Sequence, residues 1–141
     1  MEKIKILVVD DESRMRKLVK DFLLKQNYEV LEAGDGRAAL DIFFDQQDIA
    51  LIILDVMMPK MDGIQATMKI REEKNIPIIM LSAKSEDYDK ITGLNVGADD
   101  YVTKPFNPLE LMARVKSQLR RYVNLGSLAG SPVATGVYKS G

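Results

Sequence analysis

Cysteine, histidine and tryptophan are all absent from the 141 residues of this sequence. Without cysteine the chain can form neither a disulfide framework nor a thiolate metal site. Without histidine it lacks the usual base of a nucleophilic triad and the commonest nitrogen ligand for metals. Any histidine that takes part in its chemistry must therefore belong to a partner protein.

An excess of one charge sign and a long apolar run are missing as well. The 20 basic and 21 acidic residues leave a net charge of -1, so the sequence offers no basic field for nucleic acid. No apolar run approaches the roughly 18 residues that a membrane span needs. We therefore expect a cytoplasmic protein without membrane contact, and its length is typical of one domain.

The most informative stretch is IALIILDVMMP, where an aliphatic run ends at Asp55. The run is short and rich in β-branched residues, which predicts a strand buried on both faces. A single aspartate after a strand usually belongs to a turn. Three other apolar runs, however, also end in polar residues: residues 4–9 lead to Asp10 and Asp11, residues 78–81 to Ser82, and residues 101–103 to Lys104.

These strand ends together predict a pocket. Ligands of open α/β sheets bind at the carboxyl ends of the strands. If the strands are parallel, that edge gathers three carboxylates, one hydroxyl and one ammonium. Carboxylates that close repel one another unless a cation joins them, and Mg²⁺ suits them because it is a hard ion that takes oxygen ligands. A carboxylate such as that of Asp55 can accept a phosphoryl group.

Helical patterns separate the predicted strands. An amphipathic helix with Ser13 as N-cap and Asn27 near its end follows the first strand, and a short strand is predicted over residues 28–32. Further helices are predicted near residues 40–44 and over about 64–73.

A helix over residues 86–96 should be the least stable of the set because it contains poor helix formers. The last helix begins at Asn107-Pro108-Leu109-Glu110, which combines an N-cap, a proline at the first helical position and a capping-box glutamate. Five strand–helix units predict an α/β doubly wound parallel sheet with helices on both faces. Residues 1–123 form this domain, and residues 124–141 are interpreted as a linker remnant or a tail introduced for expression.

Four motifs carry a resemblance to a known family. They are VVDDE at residues 8–12, IILDVMMPKMDG at residues 52–63, MLSAK at residues 80–84 and GADDYVTKPF at residues 97–106. In this order and spacing they resemble the receiver domain of bacterial two-component response regulators. The resemblance implies a flavodoxin-like (CheY-like) five-stranded sheet with strand order 2-1-3-4-5 and five helices.

The resemblance also implies the roles of individual residues. Asp55 accepts a phosphoryl group from a partner sensor histidine kinase. Mg²⁺ is held by Asp10, Asp11, Asp55 and the backbone carbonyl of Met57. Ser82 and Lys104 bind the phosphoryl oxygens, and the Lys104-Pro105 peptide bond is cis. Phosphorylation draws Ser82 inward, and Tyr101 turns into the vacated space, which switches the surface of residues 86–96, the fifth strand and the last helix.

A charged surface is similar to the dimer interface of the OmpR/PhoB-like branch of transcription factors. The implied pairs are Lys90 with Glu110, Asp100 with Arg114, and Asp99 with Arg121. In that branch a DNA-binding domain follows the receiver, so we expect a phosphorylation-dependent homodimer that contacts DNA only through a domain absent from this chain.

Two alternatives stay open. A magnesium-dependent phosphatase of the haloacid-dehalogenase kind also uses an aspartate at a strand end, but its second acid would stand at Met57, which cannot transfer a proton. A receiver-like interaction module that is never phosphorylated has the same fold, although the intact acidic residues and Lys104 argue against it. We expect no enzyme beyond self-catalysed phosphorylation and dephosphorylation.

Overall fold

The computed structural model describes residues 3–56, 63–83 and 99–122. Strands and helices alternate along these ranges. They are β1 (Lys5–Val9), α1 (Ser13–Lys25), β2 (Glu29–Ala33), α2 (Gly36–Asp45), β3 (Ile49–Asp55), α3 (Gly63–Arg71), β4 (Ile78–Ala83), β5 (Asp100–Lys104) and α4 (Pro108–Tyr122). The helix predicted over residues 86–96 and the tail at 124–141 lie outside the described residues.

The five strands form one parallel sheet in the order β2-β1-β3-β4-β5. The fold class and strand order expected from the sequence are therefore confirmed. β3 lies at the centre, and its residues 51–54 are fully buried. This burial explains why the strand is a continuous aliphatic run and not an alternating one.

Helices cover both faces of the sheet. On one face Val19 of α1 and Val115 of α4 pack with Ile6 and Val8 of β1. On the other face α2 and α3 pack against the alternate residues of the same strand. Successive side chains of a strand point to opposite faces, so β1 contributes to both halves of the core. Within the described ranges no helix is long and apolar enough to cross a membrane.

The ends of α1 only partly match the prediction. The N-cap is Glu12 and Ser13 is the first helical residue, so the predicted cap is wrong by one position, and no side chain caps the helix. At the other end Asn27 has a positive φ of 69°, and its N–H donates to the carbonyl of Leu24. The N–H of Tyr28 donates to the carbonyl of Leu23, which completes a Schellman motif and confirms that the helix stops before Asn27.

The ends of two other helices use side-chain caps. Asn107 accepts a 2.8 Å hydrogen bond from the N–H of Leu109, which confirms the predicted N-cap of α4. Glu110 accepts hydrogen bonds from Arg114, one turn further on, in place of the capping-box contact. Asp35, to which the sequence assigned no role, caps α2 by accepting a 2.8 Å bond from the N–H of Ala38.

Candidate functional site

The register of the sheet brings the predicted polar residues to one edge. Val9 pairs with Leu54, so Asp10 and Asp55 leave neighbouring strands at the same level. Lys104 ends β5, two strands away from β3. The polar residues at the ends of these parallel strands therefore lie at the same edge of the sheet, as the sequence predicted.

Three carboxylates meet at this edge. Oxygens of Asp10, Asp11 and Asp55 lie within 4.8 Å of one another. Asp10 is 1% exposed and Asp55 is 6% exposed, whereas Asp11 is open to solvent. We call these three residues and Lys104 the carboxyl-end pocket.

Lys104 supplies positive charge to the pocket. Its Nζ lies 3.3 Å from an oxygen of Asp55 and 3.4 Å from an oxygen of Asp10. Burial alone would lower the pKa of Lys104, but the nearby charges of Asp55 and Asp10 and their hydrogen bonds together raise that pKa above its ordinary value. The ammonium therefore stays charged at neutral pH. Among the described residues, the pocket thus contains one ammonium and three carboxylates, so negative charge predominates.

The pocket fits a small divalent cation. Oxygen ligands of one Mg²⁺ lie about 3 to 4 Å apart when each is about 2.1 Å from the ion. The three carboxylates approach this spacing and offer only hard oxygen donors. One side of the group is exposed at Asp11, where waters or a phosphate could complete the coordination.

The backbone that follows Asp55 is held against the start of α3. The N–H of Val56 donates to Leu81 of β4, and the N–H of Gly63 donates to the carbonyl of Val56 at 2.8 Å. A Cβ at Gly63 would lie 2.3 Å from the carbonyl oxygen of Asp55, so only glycine permits this contact. The buried hydroxyl of Thr67 donates to the carbonyl of Gly63 and fixes the first turn of α3.

Comparison with known proteins identifies the family. Residues 6–116 match the model of the response regulator receiver domain. The chain belongs to the response regulator receiver family.

Curated relatives of this receiver are regulatory proteins. It is 49% identical over 137 residues to the regulatory protein VanRc of Enterococcus gallinarum, covering 97% of this chain and 59% of that protein. It is 48% identical over 116 residues to the transcriptional regulatory protein SrrA of Staphylococcus aureus, covering 82% of this chain and 48% of that protein. The receiver thus spans about half the length of the curated relatives it matches.

Solved structures show the same architecture. A putative response regulator from Chloroflexus aurantiacus superimposes with a TM-score of 0.81 at 35% identity, over 85% of this receiver and all of that chain. A CheY-like receiver domain protein from Methanospirillum hungatei gives 0.78 at 27% identity, over 85% and 96% of the two chains. The family predicted from the four sequence motifs is confirmed.

The remaining predicted site residues lie near the pocket or outside the described ranges. Ser82 is 1% exposed and directly follows Leu81, the register partner of Asp55. Tyr101 is 8% exposed and packs with Val56 and Met80. The Lys104-Pro105 peptide bond is cis. The Met57 carbonyl lies outside the described residues, and the switch roles of Ser82 and Tyr101 stay predictions.

Four of the residues predicted to form a dimer interface have charged partners within this receiver. Arg114 lies 2.6 Å from Asp100 and 3.1 Å from Glu110, and Asp99 pairs with Arg71. We call these five residues the β5–α4 charged surface. The sequence paired Asp100 and Asp99 with arginines of a second copy, so those contacts would have to replace the internal ones. Lys90 lies outside the described residues, Arg121 is exposed on α4, and the interface stays a prediction.

The sequence did not predict one contact near the pocket. Arg16 of α1 donates one hydrogen bond to the backbone carbonyl of Asp10 and another to the carboxylate of Glu32. A cationic side chain on an amphipathic helix normally faces solvent, and no sequence motif indicates a different role for Arg16. The only signal was its position, three residues after the predicted start of the helix and close in sequence to the acidic pair.

Proposed function

We propose that this receiver is a phosphoacceptor in which Asp55 takes a phosphoryl group from a histidine of a partner sensor kinase. The observation that carries the proposal is the carboxyl-end pocket, where Asp55 lies within 4.8 Å of two further carboxylates and 3.3 Å from the ammonium of Lys104. A nucleophile, a group of metal ligands and a fixed positive charge are the components that phosphoryl transfer needs. The absence of histidine from this chain is consistent with a donor on another protein.

Each side chain of the pocket has a defined task in this proposal. The carboxylate of Asp55 forms a bond to phosphorus while the bond from phosphorus to the donor's imidazole breaks, which leaves an acyl phosphate on Asp55. Lys104 holds a positive charge where the phosphoryl oxygens arrive. Asp10, Asp11 and Asp55 would hold Mg²⁺, which when bound offsets the negative charge of those oxygens.

The proposal extends to the output of the receiver. In this scheme the phosphoryl group attracts the Ser82 hydroxyl, Tyr101 follows it, and the β5–α4 charged surface exchanges internal partners for those of a second copy. The relatives VanRc and SrrA are named as regulators, and this chain covers only about half of each. We infer that the complete protein contacts DNA through a further domain and regulates transcription in the cytoplasm.

Phosphorylation of the isolated receiver tests the central step. The chain is incubated with acetyl phosphate and Mg²⁺, and its intact mass is measured. We expect the native chain to gain one phosphoryl group, Asp55→Asn to gain none, and Asp41→Asn, which changes an exposed aspartate of α2, to behave as the native chain does. Chelation of Mg²⁺ should abolish the gain.

A native chain that stays unmodified under these conditions would contradict the proposal. It would favour the alternative of an interaction module that is never phosphorylated. Labelling that persists in Asp55→Asn would place the acceptor elsewhere and would also contradict it.

A further inference from the structure

The loop that carries Asp11 is restrained from outside the pocket. Asp11 is the exposed member of the three carboxylates, so packing alone does not fix its direction. Both backbone groups of Asp10, the residue before it, are held by hydrogen bonds. The N–H of Asp10 donates to the carbonyl of Ala33 at 3.1 Å, and the carbonyl of Asp10 accepts from the guanidinium of Arg16.

Arg16 is itself anchored at the end of β2. Its Nε donates to one oxygen of Glu32 at 3.2 Å, while Lys20 donates to the other oxygen at 2.9 Å. The hydrogen bond from Lys20 and that from Arg16, partly offset by burial, lower the pKa of Glu32 below its ordinary value, so this anchor is ionised at neutral pH. Only 22% of the Arg16 side chain is exposed.

The guanidinium thus bridges two strand ends. A planar guanidinium can bind a carboxylate and a carbonyl at once in a fixed geometry, which a flexible ammonium cannot reproduce. Rotation of the peptide between Asp10 and Asp11 would break the bond to Arg16. The end of β2 is therefore connected to the pocket loop twice, by the backbone hydrogen bond between Asp10 and Ala33 and by the Arg16 side chain.

We propose that Arg16 is a positioning residue that holds the peptide between Asp10 and Asp11, and with it the Asp11 carboxylate, in the direction that a bound divalent cation requires. The inference rests on the proposed magnesium-dependent function and goes beyond it by assigning part of the cation affinity to a residue that touches neither cation nor phosphate. Groups that orient metal ligands commonly contribute 10- to 100-fold to metal affinity.

Charge and positioning make opposite predictions for Arg16. If the guanidinium acted only through its positive charge, removing it would increase the attraction of the pocket for a cation. If it holds the loop, removing it weakens cation binding in spite of the more favourable charge. The sign of the change therefore distinguishes the two roles.

The test is a titration of the native chain and its variants with Mn²⁺, in which electron paramagnetic resonance measures the free ion. We expect Arg16→Ala to weaken Mn²⁺ binding about 10-fold. Arg16→Lys keeps the charge but cannot bridge both partners, and we expect an intermediate loss. Lys17→Ala removes a neighbouring cation that pairs with Asp21 and is 75% exposed, and we expect binding that is unchanged or slightly tighter.

Unchanged or tighter binding in Arg16→Ala, equal to that of Lys17→Ala, would overturn the inference. If Arg16→Ala fails to fold, as circular dichroism would show, Arg16→Lys decides: native affinity in that variant overturns the positioning role. The proposed function fails separately. In that case the native chain itself binds no Mn²⁺, or binds it equally well after Asp55→Asn.

Discussion

The carboxyl-end pocket and the β5–α4 charged surface both contain acidic and basic side chains. They differ in the ratio of the two and in how deeply the side chains are buried. In the pocket two carboxylates are almost fully buried, and among the described residues both form salt bridges with the ammonium of Lys104. On the charged surface two arginines and three carboxylates pair within the chain, and these side chains are at least partly exposed.

The difference indicates what each region can do. Burial makes charge repulsion costly, so a buried cluster with excess negative charge favours a cation or a new positive partner. Exposed pairs contribute little each and can be exchanged at small cost. The pocket therefore suits chemistry and tight ion binding, while the surface suits weak association in a defined register.

The largest expected effect is stabilisation of the pocket by Mg²⁺. At a concentration of about 100 times Kd, the ion should raise the free energy of unfolding by about 2.7 kcal/mol. Asp11→Asn should lose most of this gain, because it removes one ligand. Asp100→Asn, on the charged surface, should keep it. Urea unfolding with and without Mg²⁺ measures the gain in each variant. Equal gains in the two variants would show that Asp11 contributes no more to Mg²⁺ binding than Asp100 does.

The next effect concerns the backbone that supports Asp55. Gly63→Ala should lower the free energy of unfolding by about 2 kcal/mol, because the new methyl group overlaps the Asp55 carbonyl. Gly34→Ala is the matched control, since its methyl would meet only Arg16 at an ordinary 3.7 Å. Urea unfolding of both variants makes the comparison. Similar losses at the two glycines would contradict the close contact between α3 and β3.

A smaller effect is expected on the charged surface. Arg114→Ala removes two ion pairs and should cost less than about 1 kcal/mol of unfolding free energy, because the pairs are at least partly exposed. In 1 M salt, where the screening length is about 3 Å, the difference from the native chain should nearly vanish. Arg120→Ala, at an exposed position of the same helix, is the control. A large loss that is insensitive to salt would show that this surface resembles the pocket after all.

The smallest expected effect is the pH-dependent contribution of Glu32 to the free energy of unfolding. Its pKa in the folded chain lies below the ordinary value of 4.5, so its contribution is present above that pH and is lost as the pH falls through the folded pKa. The native chain should exceed Glu32→Gln in stability by less than about 1 kcal/mol at neutral pH. The two should converge in acid. Unfolding curves measured from neutral to acid pH test this prediction. A stability difference between the native chain and Glu32→Gln that widens in acid would contradict it.

The sequence predicted the central strand and the start of the last helix correctly, because both depend on the local pattern of residues. The aliphatic run before Asp55 could only be a strand buried on both faces, and β3 is one. Asn107-Pro108 marked the start of α4 because a side-chain cap and a proline act on adjacent residues. The strand order came from the family resemblance and not from the pattern.

The contacts that the sequence did not predict mostly join residues that are distant along the chain. Ser13 was predicted to cap α1, but the N–H of Glu12 donates to the side chain of Asp10, and the helix begins at Ser13, one residue earlier than a cap at Ser13 would place it. The partner of Asp99 is Arg71, 28 residues away. The contact of Arg16 with the carbonyl of Asp10 likewise requires that the end of β2 be in place. Periodicity and capping rules contain no information on such pairs.

Anomalous diffraction from crystals of this chain grown with Mn²⁺ tests the central claim most directly. We predict one bound ion at the carboxyl edge of the sheet, within bonding distance of oxygens from Asp11 and Asp55. The β5–α4 charged surface should bind none. Crystals that show no ion at the carboxyl edge, or show it only among Asp99, Asp100 and Glu110, would contradict the account.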